Sequence, residues 1–214
     1  MNIVSRIRKF VMSELVNAGY LDIYVKYWLE LESLYLDAGE KLNENILEKF
    51  FIDYLTIQNN GLTPDKDNLF MCLLNFYRDA TKFQSKDIII KNIYRYSVYY
   101  LKIMFAELKD DEIRKRVKKI NAYKAKDAYP FLMEVFEDYE FAHINKNMLL
   151  EILDTVIGFI EERNSKKPSQ IALSFATLSA EINKMLVLKD YTPHFVIDKT
   201  ELENNLTINS IMRA

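Results

Sequence analysis

Four glycines and four prolines in 214 residues constrain this chain more than any other feature. Together the two types ordinarily make up about 12 % of a protein. Glycine supplies the positive φ of tight turns, and proline marks where elements stop. A sandwich or a barrel needs many such turns. A chain so poor in them has few connections and long elements between them, which means helices. The apolar residues agree. They recur three and four positions apart almost throughout, and no segment shows four clean alternations bounded by turn residues. The expected fold is all-α, an irregular bundle of roughly ten helices. Residues 1–214 read as a single helical domain, or as two packed sub-bundles, 1–120 and 127–214, on either side of Asn121 to Lys126.

The stripes can be followed along the chain. Tyr24, Tyr27, Trp28, Leu31, Leu34 and Tyr35 form one, and Leu47, Phe50, Phe51, Tyr54 and Leu55 a second. Thr63 and Pro64 read as an N-cap and a first helical residue, with Asp65 and Asp67 in the first turn. Ser85 is the expected cap of the longest helix, whose buried seam is Ile89, Ile93, Tyr96, Tyr100 and Ile103. Asp110-Asp111-Glu112 opens a short basic helix that runs through Ile120. Asp127-Ala-Tyr-Pro130 opens the next, lined by Leu132, Val135, Phe136 and Tyr139. Asn145 caps a helix carrying Leu149, Ile152, Leu153, Val156 and Ile160. Ser165 to Pro168 breaks the chain, a stripe from Ile171 to Met185 follows, and Asp198 to Arg213 reads as a terminal helix after Pro193.

A chain of this length buries roughly 70 % of its unfolded surface and needs no metal or disulfide to fold. One cysteine excludes an intramolecular disulfide and a multi-cysteine zinc site. Cys72, between Met71 and Leu73, reads as a buried, inert thiol. No run approaches the roughly 18 apolar residues of a membrane span, and the start shows no signal peptide. The expectation is a cytoplasmic protein with no membrane partner.

Motifs for catalysis are scarce. The glycines at 19, 39, 61 and 158 stand too far apart for a phosphate loop, and no metal-protease or paired-cysteine motif occurs. No catalytic residue, metal ligand or cofactor is therefore expected. Glu137, Asp138, Glu140 and His143 form the one acid–histidine cluster. Spacing of three puts Glu140 and His143 on adjacent turns if the helix continues that far, and a solvated helix end is its ordinary reading. Arg114, Lys115, Arg116, Lys118 and Lys119 form a basic run. With Ile113, Val117 and Ile120 facing inward, Arg114, Lys115, Lys118 and Lys119 are the candidates for a nucleic-acid backbone. A solvated face is the commoner meaning of such a run, and the net charge of −2 is not that of a dedicated DNA-coating protein.

Several segments resemble one family. Tyr24-Val-Lys-Tyr-Trp28 is similar to the Tyr-x-Lys-Tyr-Trp segment in the helical middle of GmrSD-type restriction proteins, and Phe50-Phe-Ile-Asp-Tyr-Leu-Thr-Ile57 to the Phe-Phe-x-x-Tyr-Leu-Thr segment that follows it. Ala128-Tyr-Pro-Phe-Leu132 with Phe136-Glu-Asp-Tyr139 resembles the family's Tyr-Pro-x-Leu helix. Phe175-Ala-Thr-Leu178 and Asp198-Lys-Thr-Glu-Leu202 look like its later landmarks. The resemblance implies a non-catalytic helical module. It would position an N-terminal nucleotide-hydrolysing domain and a C-terminal HNH nuclease domain, with weak contact to a DNA backbone, in restriction of modified phage DNA. Neither the Asp-Gly-Gln-Gln-Arg string of the first domain nor the histidine motif of the second is present, so the family's catalytic residues have no counterparts in these 214 residues. The competing reading is a stand-alone interaction or oligomerisation module.

Overall fold

The computed structural model describes residues 3–42, 45–59 and 61–163. Among them every regular element is helical and no strand occurs. We number eight α-helices. Helix α1 is Ile3–Val16. Leu21–Ile23, Tyr24–Leu29 and Glu30–Leu42 run on from one another through helical backbone angles and together form α2. Then come α3 (Ile46–Gln58), α4 (Leu69–Ala80), α5 (Lys86–Phe105), α6 (Asp111–Ala122), α7 (Tyr129–Glu140) and α8 (Lys146–Arg163). The stripe from Ile171 to Met185, the terminal helix, Pro193 and His194 lie outside the described residues. So do the family-like segments at 175–178 and 198–202.

The helices fall into two compact units, Met1–Gln58 with Thr63–Val98, and Asn59–Leu62 with Tyr99–Ala214. The division falls within α5, and the 121–126 connection lies inside the second unit.

The first unit is built on aromatics from several helices. Trp28 stacks on Phe51 with ring centroids 6.1 Å apart, and Phe50 lies 5.2 Å from Phe51. Tyr54 meets Phe76 and Tyr96 edge-on at 5.6 and 5.7 Å. The hydroxyl of Tyr35 donates to the carbonyl of the fully buried Ser97 at 3.1 Å. The stripe expected from Tyr24 onward is present, but Tyr24–Leu29 is wound as a π-helix. Its i→i+5 bonds hold more residues per turn than an α-helix, so positions four apart keep to one face. Tyr24 and Trp28 are buried on that face, while Val25 and Leu29 are exposed together on another.

One expected helix start and one expected cap differ. Asp65, with an extended backbone, accepts the Asp67 N–H and caps a 3₁₀ turn at Lys66–Asn68, so α4 begins only at Leu69. Pro64 thus precedes the helix, and the Thr63 hydroxyl lies 3.3 Å from that of Thr56. Ser85 stands at the expected position, yet its hydroxyl bonds the Asp87 carboxylate at 2.5 Å instead of a backbone N–H. Cys72 is half-buried and not enclosed.

In the second unit α7 is buried from Tyr129 to Phe136, with Tyr129 edge-on to Tyr100 at 5.5 Å. Every side chain of that stretch is enclosed, Glu134 among them, so it lies inside its unit. No described helix is long and apolar enough to cross a membrane.

Candidate functional site

Helix α6 forms where expected. The Asp110 carboxylate accepts the N–H groups of Glu112 at 2.9 Å and Ile113 at 3.2 Å, satisfying two donors that the helix leaves unpaired. Ile113, Val117 and Ile120 are buried, which turns the basic residues outward.

The surroundings of those cations are the main finding. Arg116 clasps Asp154 of α8 with two bonds of 2.8 Å, from Nε and Nη2. Lys119 meets Glu161 at 2.8 Å, and the Tyr123 hydroxyl donates to the same carboxylate at 2.6 Å. At the other end, Lys146 of α8 bridges back to Asp110 at 2.8 Å and Glu112 at 2.5 Å. Arg114 donates to the Leu108 carbonyl at 2.9 Å and pairs with Asp111. The titration of these groups follows. Lys146 and the two backbone N–H groups that Asp110 accepts hold its carboxyl below the usual carboxylate range. Lys119 and Tyr123 do the same for Glu161.

The four residues put forward for a nucleic-acid backbone therefore divide. Arg114 and Lys119 are engaged within the protein. Lys115 and Lys118 are exposed and make no ion pair among the described residues. The partners Asp154, Glu161 and Lys146 escaped the sequence reading because they lie roughly three dozen residues along the chain. An acidic rank on α8, Asp154 and Glu161 seven apart, was the one signal that could have found them.

The acid–histidine cluster is rearranged. Helix α7 ends at Glu140, and Ala142 takes a left-handed φ of 57°. The chain turns back there, so Glu140 and His143 do not share a helical face. Glu140 pairs with Lys102 at 3.1 Å. His143 Nδ1 instead meets Asp138 at 3.2 Å, and burial pushes the Asp138 carboxyl up. No group of three or more potential metal ligands occurs among the described residues.

No family model matches the chain, and no curated protein or solved structure does either.

Proposed function

We propose that this chain is a non-catalytic helical module that holds neighbouring domains in register, the role its resemblance to the helical middle of GmrSD-type restriction proteins implies. One observation supports the reading best. Charged side chains of α6 and its cap join it to α8: Arg116 to Asp154, Lys119 to Glu161, and Asp110 and Glu112 to Lys146. Such ties add to the buried face of α6 in setting it against α8. In this reading nucleotide hydrolysis and DNA cleavage belong to flanking domains, and contact with a DNA backbone falls to Lys115 and Lys118.

The test is an assay of the purified chain with nucleoside triphosphates and with modified and unmodified duplex DNA, Mg²⁺ or Mn²⁺ supplied. The expected result is no turnover above a mock-purified control. Robust hydrolysis or cutting would overturn the proposal.

A second reading, an interaction module acting alone, is favoured by a row of exposed apolar residues on α1 and α2.

A further inference from the structure

Six large apolar side chains of the first unit stand between 37 % and 64 % exposed on α1 and α2: Met12, Val16, Leu21, Val25, Leu29 and Leu36. Scattered exposed leucines are ordinary, whereas a contiguous row marks an interaction surface. These form a row. Leu21, Val25 and Leu29 follow at steps of four, which the π-wound turn keeps on one face. Leu36 lies seven further, two turns along the same side. The turn at 17–20 reverses the chain, and the Arg8–Glu32 ion pair at 2.7 Å sets the register of α1 against α2. Met12 and Val16 lie one and two turns beyond Arg8. Leu29 and Val25 lie one and two turns before Glu32. The two pairs therefore run side by side.

The flank of the row has a sign. Asp22, Lys26, Glu30 and Asp37 each stand one position along from a residue of the row, and all are exposed. Three carboxylates of α2 stand there against Lys26, whose ammonium lies 5.4 Å from the ring centroid of Tyr27; Lys91 of α5 lies 6.0 Å from the same ring but is paired with Asp87 at 2.8 Å. On α1, Arg6 lies over the Phe70 ring and Arg8 is paired with Glu32, which leaves Lys9 as the cation on that side. We infer that the α1–α2 face binds an amphipathic helix of a partner protein, one that brings an apolar stripe flanked by lysine or arginine. Complementary flank charge favours that occupant. A second copy of this chain would bring its own Asp22, Glu30 and Asp37 to the same interface, and like charges set together there oppose pairing. The surface goes beyond the scaffold role and stands whether or not flanking domains accompany the chain.

The probe is a fluorescein-labelled peptide about five helical turns long, leucines on one face and lysines on the other. Two controls keep its composition in scrambled order or replace lysine with glutamate. Anisotropy should show saturable 1:1 binding of the Leu/Lys helix to the full chain, about tenfold or more tighter than either control. The variant V25Q/L29Q should weaken it by about tenfold. The variant D22N/E30Q/D37N should weaken it less and flatten its dependence on salt. These positions are exposed, and an unchanged far-UV spectrum and melting curve confirm that each variant folds. Three results would each overturn the inference: no binding of the Leu/Lys helix, equal binding of the scrambled peptide, or equal binding by V25Q/L29Q. Self-association in sedimentation that V25Q/L29Q abolishes would assign the face to a second copy and overturn it equally.

Discussion

Asp138 and Asp110 are both aspartates at the end of a helix, and their surroundings drive them in opposite directions. Burial raises the Asp138 carboxyl, and the bond from His143 offsets that only in part. The folded protein then holds this proton more tightly than the unfolded chain, whose aspartates titrate near pH ~3.9. Stability from this site is complete below about pH 3.9 and is lost as the pH climbs through the raised folded value. Asp138→Asn carries no charge at any pH. Its urea midpoint should therefore fall less than the wild type's as the pH rises from about 4 to 6, and identical slopes would contradict the assignment. Asp110 behaves oppositely. Its folded value is depressed, so its contribution is present above about pH 3.9 and is lost as the pH falls through the folded value. The Arg116–Asp154 clasp is well shaped but partly open to water, and Arg116→Ala should cost at most ~1 kcal/mol in denaturant unfolding.

Each helix is held by its inner face more than by its charges. In α6, Ile120 is fully buried while Lys115 and Lys118 face solvent. Ile120→Ala removes packing from a filled interior and should destabilise by ~2–5 kcal/mol. The exposed pair, changed to glutamine, should stay within about 0.5 kcal/mol of wild type. Both are read from urea denaturation followed by far-UV circular dichroism. A large loss in the lysine variant would mean that those side chains hold the fold in a way their exposure does not show. In α2 the anchor is Trp28, 1 % exposed and stacked on Phe51. Trp28→Ala should cost ~3–5 kcal/mol.

For the molecule as a whole, net charge sets how strongly any polyanion is drawn in. The chain carries −2, so long-range attraction to DNA is weak. With Arg114 and Lys119 engaged internally, Lys115 and Lys118 remain to release counterions. Binding to labelled duplex should be detectable only at low salt and insensitive to sequence. Lys115→Gln with Lys118→Gln should abolish it as fully as changing all four residues. Equal binding by the double variant and the wild type would exclude this helix as the contact.

The helical class was legible before any coordinates, because periodicity and the scarcity of glycine and proline are local properties that need no knowledge of the rest of the chain. The same holds for the Asn145 cap, which acts within one turn, for the opening of α6 at Asp110-Asp111-Glu112, and for its inward face. The π-wound turn at Tyr24 was not legible: an apolar stripe at four-residue spacing suits both windings, and the choice between them depends on what packs against it. The start of α4 moved because Asp65 caps a 3₁₀ turn at Lys66–Asn68 ahead of it. The candidate site changed most. A basic run reads as a row of exposed cations until the fold brings α8 alongside. Ion pairing acts over a few ångströms of space, whatever the distance along the chain. Packing alone settled which lysines meet a carboxylate and which meet water, and it also set the exposed apolar residues of α1 beside those of α2.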